Sequence, residues 1–266
     1  MYAWGGISIV NALPSGLGAA AAIDLAVRAR IRPCQGKPRG SGSQLVDEIA
    51  SYFSSRYSVA RLCFDIESEV PPASGLKSSS AVAVSLIRAI KNAFSLEELE
   101  VPRLAAELSR LAGVSLTGAL DDASAAYYGG VAFTDNTNMA IIRVADIGLD
   151  LSVVIAVPRR GSRPPIDLVA LRRYSHLFQE VFSVAIQGEV LRAMTLNGLL
   201  IARLLGYRED IPRKALELGA LAAGVTGNGP AMFAVCRRGD EGPFVELLSG
   251  YGRVLVRRFV RVGEVP

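Results

Sequence analysis

The chain is poor in two residue types that often carry chemistry, with one histidine, His176, and three cysteines, Cys34, Cys63 and Cys236. A single histidine excludes most multi-histidine metal centres and weakens a Ser-His-Asp interpretation. We interpret His176 as a packing or surface residue of a helical segment. The cysteines are odd in number, lie far apart and form no C-x-x-C pair. This pattern predicts neither a zinc site nor a disulfide framework, and it favours a reducing cytoplasm.

The sequence also lacks long apolar runs and any concentration of charge. No run approaches the ~20 apolar residues that cross a bilayer, and the N-terminal segment MYAWGGISIV has no charged start or apolar core typical of a signal peptide. The 29 basic and 25 acidic residues give a net charge of +4 and are scattered. A nucleic-acid binder gathers its basic residues into a stripe with aromatics between them. We therefore predict no membrane or nucleic-acid partner, and the mildly positive charge suits a small anionic substrate.

Strand and helix patterns occur in both halves of the chain. Residues 23–32 alternate between apolar and polar side chains, the period of a half-buried strand. Residues 79–94 are apolar at helical spacing. Beyond residue 147, we predict a buried strand at 151–157, two helices within 166–206 and one helix at 212–223, followed by further strands. Strands before, between and after helices indicate a second, small α+β sandwich.

Three loops rich in glycine and hydroxyl residues stand out, at residues 15–18, 71–81 and 224–230. The second loop leads into a long helical run, so its backbone N–H groups and hydroxyls meet at a helix N-terminus, where a phosphate is best held. A Lys-Ser pair in this loop invites the Walker A pattern. However, Pro71 and Leu76 occupy the two positions at which that pattern needs glycine. The loop therefore predicts a phosphate site that is not of the Walker type.

The same loop fits another pattern. Its sequence PPASGLKSSSA resembles the P-x-x-x-G-L-G-S-S-A-A loop of the GHMP kinases, named for galactokinase, homoserine kinase, mevalonate kinase and phosphomevalonate kinase. Lys77 stands where glycine is usual, and Ser80 stands in place of the first alanine. This GLKSSSA variant resembles the archaeal shikimate kinases, a branch of that superfamily. Three further segments resemble family motifs in the family order: SIVNALPSGLGAAAAIDL, TGALDDASAAYYGG and GVTGNGPA.

The resemblance implies an α+β protein with the two-domain GHMP kinase fold. Residues 1–147 would form an N-terminal, ribosomal-protein-like α/β domain that binds ATP, and residues 148–266 a C-terminal, ferredoxin-like α+β sandwich, with the active site in the cleft between them. The implied activity is transfer of the γ-phosphoryl group of ATP to the 3-hydroxyl of shikimate, a step towards chorismate and the aromatic amino acids. Two alternatives remain open: another GHMP kinase, such as one acting on mevalonate, and a non-catalytic relative that only binds a ligand.

The resemblance also assigns the nucleotide and its metal. Transfer of a γ-phosphoryl group depends mainly on positioning and on stabilising charge. Mg²⁺ would be held by Ser79 and by Glu107, whose alternative interpretation is an exposed helix residue. The serines of the loop have plain helix capping as their alternative. The expected ATP-binding residues are Pro71, Pro72, Ala73, Ser74, Gly75, Leu76, Lys77, Ser78, Ser79, Ser80 and Ala81.

Asp121 matches the catalytic aspartate of the mevalonate kinase branch, with Asp122 where that branch has asparagine. A carboxylate beside the substrate hydroxyl accepts its proton, an effect typically worth ~10²–10⁴-fold in rate. We predict that Lys77 lies near both Asp121 and the γ-phosphate, where its ammonium keeps the aspartate ionised and offsets developing charge. The alternative for the Asp-Asp pair is a helix N-cap followed by a first-turn acid.

The acceptor site is the least specified part of the prediction. A carboxylate such as that of shikimate needs an arginine fork or backbone donors. Arg159, Arg160 and Arg163 are candidates, and the sequence does not choose among them. By resemblance, the acceptor-binding residues are Asn11, Gly16, Gly18, Asp24, Asp121, Thr226 and Gly227.

Overall fold

The computed structural model describes residues 1–32, 34, 43–57, 62–148, 150–158 and 164–265. Within these ranges, two antiparallel sheets are covered by helices. The first sheet has the order β1-β2-β4-β5, with β3 pairing with the C-terminal part of β2. Its strands are β1 (Tyr2–Val10), β2 (Leu17–Arg32), β3 (Cys63–Ser68), β4 (Val131–Asp135) and β5 (Ala140–Ala145).

The second sheet is built from later parts of the chain and has the order β7-β8-β6-β9. Its strands are β6 (Leu151–Val157), β7 (Ala222–Val225), β8 (Met232–Arg237) and β9 (Arg253–Arg258). The change of sheet occurs between β5 and β6, where the sequence places its domain boundary. A continuous apolar core nevertheless joins the two sheets, because Ile7, Phe133, Val153 and Phe233 belong to one buried cluster. The division into residues 1–147 and 148–266 therefore stays a proposal.

Ten helices lie within the described ranges. None of them is both long and apolar enough to cross a membrane. They are α1 (Ala12–Ser15), α2 (Gln44–Arg56), α3 (Ser78–Ala93), α4 (Val101–Leu111), α5 (Leu120–Tyr128), α6 (Leu168–Arg172), α7 (Ser175–Ile186), α8 (Val190–Leu205), α9 (Asp210–Glu217) and α10 (Gly242–Ser249).

Helix α3 is the element that positions the site. Its buried face carries Val84, Ile87 and Ile90 and packs against β1, β2, α4 and α5. Burial of side chains of this size stabilises the fold by roughly 1.5–3 kcal/mol each. The packing fixes the axis of α3, so that its N-terminus and the loop before it face the junction between the two sheets.

The structure corrects two helix predictions. Three helices, not two, occupy residues 166–206, because the chain turns after Arg172 and again at Gly188, whose φ of +105° is compatible with glycine. The helix predicted at 212–223 ends at Glu217. Gly219 follows with a φ of +95°, and the chain continues as β7.

The cysteine prediction is wrong for two of the three residues. Cys34 and Cys63 form a disulfide with a Cα–Cα distance of 5.3 Å, although they are 29 positions apart in the sequence. The pairing of β2 with β3, which sets Arg32 opposite Cys63, brings them together. Cys236 is free and buried, and burial raises the pKa of its thiol to about 11. The cysteine pattern therefore no longer argues for a reducing compartment.

Candidate active site

A cavity of about 380 Å³ lies where four segments of the chain converge. They are the end of β1 with α1, the loop leading into α3, the segment from the end of α4 to the start of α5, and the turn after β7. Each of the four family-like motifs of the sequence contributes to this lining, through Asn11, Gly75, Asp121 and Gly227 respectively. The main polar residues around the cavity are Ser8, Asn11, Ser74, Lys77, Ser78, Ser79, Ser80, Ser109, Ser115, Thr117, Asp121, Asp122 and Asn228.

The loop before α3 is held in shape by its own side chains and by the turn after β7. The Ser74 hydroxyl donates to the Pro71 carbonyl at 2.7 Å and accepts from the Leu76 N–H at 3.3 Å. Gly75 has a φ of +92°, and a Cβ at this position would overlap the Thr226 carbonyl oxygen. The Thr226 hydroxyl in turn donates to the Gly75 carbonyl at 3.3 Å. The loop is therefore preorganised, and only glycine fits its tightest point.

The first turn of α3 supplies unused backbone donors. The first helical hydrogen bond runs from the Ala81 N–H to the Lys77 carbonyl, so the N–H groups of Ser78, Ser79 and Ser80 precede it. These three residues line the cavity, and the Ser79 side chain is exposed there. The positive end of the helix dipole adds roughly 0.3–1 kcal/mol per anion contact, and up to about 2 kcal/mol when the contact is partly buried.

Lys77 occupies the N-cap of α3 in a left-handed conformation, with φ of 66° and ψ of 27°. This conformation costs a non-glycine residue roughly 1–2 kcal/mol. Its side chain forms an ion pair with Asp122 at 2.8 Å and donates to the Ser8 hydroxyl at 2.6 Å. The Lys77 and Asp122 side chains are only 9% and 13% exposed. The left-handed backbone of Lys77 thus places its ammonium between Asp122 of α5 and Ser8 of β1, in the lining of the cavity.

Asp121 is buried at the start of α5, and Asn136 holds it in place. Asn136 Nδ2 donates to Asp121 Oδ1 at 3.3 Å, while Asn136 Oδ1 accepts the Leu120 N–H at 2.7 Å. A Cβ on Gly18 would lie 2.8 Å from Asp121 Cγ, so the glycine leaves the space that the carboxylate fills. Burial, and next the charge of Asp122, raise the pKa of Asp121 to about 7. The Lys77 ammonium opposes this rise.

The predicted site residues fall into two groups. Of the eleven expected ATP-binding residues, the seven lining the cavity are Ala73, Ser74, Gly75, Lys77, Ser78, Ser79 and Ser80. Leu76 and Ala81 are instead buried in the core, and Pro71 and Pro72 lie outside the lining. Asn11, Asp121 and Gly227 of the expected acceptor set line the cavity.

The remaining predictions are not brought to the cavity. Asp24 accepts the Arg258 N–H of β9 at 2.8 Å and lies outside the lining. Glu107 is exposed on α4, also outside it. Gly16 packs against Thr137, and Thr226 is buried behind the loop, so both support the site without facing it. We therefore leave Asp24 and Glu107 out of the proposed site.

The three candidate arginines for the acceptor carboxylate, Arg159, Arg160 and Arg163, lie outside the described residues.

Besides Ser115 and Thr117, which line the cavity, four polar residues of the site were not predicted as site residues. Ser8 begins the segment SIVNALPSGLGAAAAIDL, whose resemblance pointed to Asn11 and two glycines and not to this serine. Asn136 follows β4 and belongs to none of the quoted motifs. Ser109 lies on a helix face, and its hydroxyl is buried without a partner among the described residues although the residue lines the cavity. Asn228 had a readable signal, because it is the only amide in the glycine-rich loop 224–230.

Solved structures with the same fold are kinases of small molecules and their relatives. The chain superposes on a homoserine kinase from Cytophaga hutchinsonii with a TM-score of 0.68, covering 99% of this chain and 96% of that one at 16% identity. The TM-score is 0.70 for the mevalonate kinase of Methanococcus jannaschii, covering 99% and 98% at 14% identity. The expected GHMP kinase fold is therefore confirmed.

Comparison of sequences carries the assignment further. Residues 44–130 match the family described as GHMP kinases N terminal domain. The shikimate kinase of Pyrococcus abyssi is 38% identical over 263 residues, covering 94% of each chain. That of Aeropyrum pernix is 36% identical, covering 95% of this chain and 96% of its own. The chain belongs to the GHMP kinase family and, within it, to the group of archaeal shikimate kinases.

Proposed function

We propose that this chain transfers the γ-phosphoryl group of ATP to the 3-hydroxyl of shikimate, giving 3-phosphoshikimate and ADP. The observation that carries the proposal is the meeting of three groups in one cavity: the buried Asp121 carboxylate, the Lys77 ammonium and the free N–H groups at the start of α3. A proton acceptor, a cation and a phosphate cradle are what phosphoryl transfer to an alcohol requires.

The triphosphate is assigned to the preorganised loop and the first turn of α3. The N–H groups of Ser78, Ser79 and Ser80 donate to phosphate oxygens. Gly75 lets the loop lie against the Thr226 carbonyl of the turn after β7. The buried hydroxyl of Ser109, which lacks a partner among the described residues, gains one when the cavity is filled. The loop is tied to the turn after β7, so little conformational entropy is lost on binding.

The oxygen donors around the cavity fit Mg²⁺, although no group of three or more metal-binding side chains occurs within the described ranges. Mg²⁺ keeps several waters and takes few protein ligands besides phosphate oxygens, so such a group is not needed. The exposed Ser79 hydroxyl at the start of α3 is the side chain that would hold it. When bound, the ion neutralises charge on the β- and γ-phosphates.

Asp121 accepts the proton of the acceptor hydroxyl while the oxygen of that hydroxyl forms a bond to the γ-phosphorus. The bond between that phosphorus and the β,γ-bridging oxygen breaks, and ADP carries the electron pair away. A pKa near 7 suits this role, because the carboxylate then gains proton affinity without being fully protonated at neutral pH. The hydrogen bond from Asn136 fixes the orientation of the carboxylate, and Gly18 leaves the space that it occupies.

Lys77 has two tasks in this proposal. Its ammonium is paired with Asp122 and lies at the foot of α3, where negative charge accumulates on the transferred group. There it stabilises the transition state electrostatically. Since it also opposes the rise in the Asp121 pKa, it keeps more of the base ionised.

The test is an ADP-release assay with shikimate, mevalonate and homoserine as acceptors, with the product of each reaction identified by mass. We expect turnover with shikimate and a phosphorylated product, with Asp121→Asn as the control that abolishes most of it. Turnover with mevalonate alone would reassign the substrate. A protein that binds ATP but consumes none with any acceptor would be a non-catalytic relative.

A further inference from the structure

The turn after β7 carries one amide side chain, Asn228, that lines the cavity and has no role so far. Its side-chain oxygen lies 3.0 Å from Asn11 Nδ2. Its main-chain carbonyl accepts from the Tyr207 hydroxyl at 2.8 Å. The neighbouring Gly227 N–H donates to the Ser8 hydroxyl at 3.1 Å. Asn228 is therefore held at both its backbone and its side chain.

The hydrogen-bond network decides which end of the Asn228 amide faces away from Asn11. Asn11 Nδ2 donates to the Gly227 carbonyl at 2.9 Å. A carbonyl can only accept, so the nitrogen of Asn11 must be on this side. The same nitrogen faces the Asn228 side chain, which must therefore present its oxygen. Asn228 Nδ2 is consequently turned the other way, and it has no hydrogen-bond acceptor among the described residues.

Asn11 itself has no donor left for a ligand. Its two Nδ2 protons are used by Gly227 and Asn228. Its oxygen accepts from Asn197 Nδ2 at 3.2 Å, and its main-chain N–H donates to Asn197 Oδ1 at 2.8 Å. All of these groups are buried or partly buried. Asn11 thus acts as a fixed support, and the free donor of this cluster belongs to Asn228.

The position of this donor points to the acceptor rather than to the nucleotide. The Asn228 side chain is bonded to Asn11, which directly follows β1. The next two residues, Ala12 and Leu13, also line the cavity. The phosphate donors lie at the start of α3. Lys77 is the only cation among the described lining residues, and it is already paired with Asp122. An acceptor rich in carboxylate and hydroxyl oxygens needs further donors in this region.

We propose that Asn228 Nδ2 donates a hydrogen bond to an oxygen of the acceptor molecule, which makes Asn228 an acceptor-binding residue and Asn11 the residue that positions it. This inference rests on the proposed kinase function and deepens it. The donor is preorganised, because rotation of the Asn228 amide would set two nitrogens against each other at Asn11.

The most informative variant is Asn228→Asp. An aspartate keeps an oxygen for the bond from Asn11 Nδ2 and replaces the outward donor by an oxygen of nearly the same size. We expect the KM for shikimate to rise at least about tenfold, as for loss of a hydrogen bond to a charged group. The KM for ATP stays within about twofold of the wild-type value, since uniform binding of the nucleotide is untouched. Asn228→Ala gives a smaller rise in the same constant.

Two controls separate this effect from a general disturbance. Asn92→Asp makes the same chemical change at an exposed position near the C-terminal end of α3, away from the cavity, and should leave both constants unchanged. The rise in thermal midpoint produced by shikimate, measured with a non-hydrolysable ATP analogue, reports binding without turnover. We expect this rise to shrink in Asn228→Asp and to persist in Asn92→Asp.

Failure of the inference can be distinguished from failure of the proposed function. If Asn228→Asp raises the KM for ATP instead, or changes neither constant, Asn228 does not bind the acceptor. If the wild-type protein phosphorylates another acceptor and not shikimate, the substrate assignment fails, and the same comparison is made with that acceptor. An unchanged KM there would again overturn the role of Asn228.

Discussion

The ion pair between Lys77 and Asp122 permits a test that separates stability from catalysis. Lys77→Met removes the ammonium and keeps a side chain of similar length in the same left-handed backbone position, so the backbone strain is common to both proteins. Asp122, only 13% exposed, then loses its counter-charge. Removing one partner of a buried pair costs about 3–5 kcal/mol. We expect Lys77→Met to lower the free energy of unfolding by about 3 kcal/mol, the lower end of this range, because the pair retains some contact with solvent.

The double variant Lys77→Met/Asp122→Asn removes both charges. Its free energy of unfolding should return close to the wild-type value, because neither member of the ion pair is left buried without its partner. Its turnover should stay about 10²–10³-fold low, the usual loss when one charge-stabilising group is removed from a transition state. Urea unfolding gives the first quantity, and ADP release at saturating ATP and shikimate gives the second. If stability and turnover recover together, Lys77 has a structural role only.

The pH dependence of turnover in Lys77→Met and in the single variant Asp122→Asn gives a second, independent test. Asp121 acts only when deprotonated, so kcat/KM should rise with pH through the Asp121 pKa of about 7. Loss of the Lys77 ammonium removes a group that favours the carboxylate, so the rise moves to higher pH. Asp122→Asn removes the negative charge that raises this pKa, so the rise moves to lower pH. Equal displacement of both variants in one direction would contradict the arrangement seen in the cavity.

Three further outcomes are expected. Asp121→Asn should lower kcat at least about tenfold, equal to roughly 1.4 kcal/mol of barrier. Folding raises the Asp121 pKa from 3.8 to about 7, so the protonated carboxyl is favoured in the folded protein. The free energy of unfolding of the wild type should therefore fall relative to this variant, by up to about 4 kcal/mol, as pH rises through that window. An unchanged kcat would remove Asp121 from its role. Gly18→Ala should lower kcat with little change in the KM for ATP, because its Cβ would displace the Asp121 carboxylate; equal losses in binding of ATP would argue against this. Cys34→Ser should lower the free energy of unfolding by roughly 3–4 kcal/mol, the chain-entropy value for a loop closed between residues 29 positions apart, and denaturation that does not respond to reductant in the wild type would contradict the bond.

Much of the nucleotide side of the cavity could be predicted because its conformation is local. Gly75 needs a positive φ, the serines after Lys77 begin an apolar helix, and both requirements are visible in consecutive residues. Asp121 was assigned through the resemblance of its segment to a family motif, and it lies at the start of a short helix that ends on two glycines. The mixture of strands and helices also followed from local patterns, since strand and helix periods are properties of neighbouring residues. The two-domain GHMP kinase fold was implied by the resemblance.

The acceptor side could not be predicted to the same depth, because its contacts join distant residues. Asp24 is a residue type that suits a binding site, yet strand β9 lies beside it and its carboxylate accepts the Arg258 N–H. The same holds for the predicted magnesium ligand Glu107, because only packing shows that its helix face is turned to solvent. Spacing in the sequence likewise gave no sign that Cys34 and Cys63 meet.

By itself, the sequence determined a phosphate loop, the helix that follows it and an aspartate at the start of a short helix, because these depend on backbone conformations that a few adjacent residues impose. Tertiary structure alone decided that Lys77 pairs with Asp122 and that Asn11 turns the amide of Asn228 outward. Sheet register and helix packing set those distances across many positions of the chain. A hydrogen bond requires its partners within about 3 Å, a condition that no local pattern encodes.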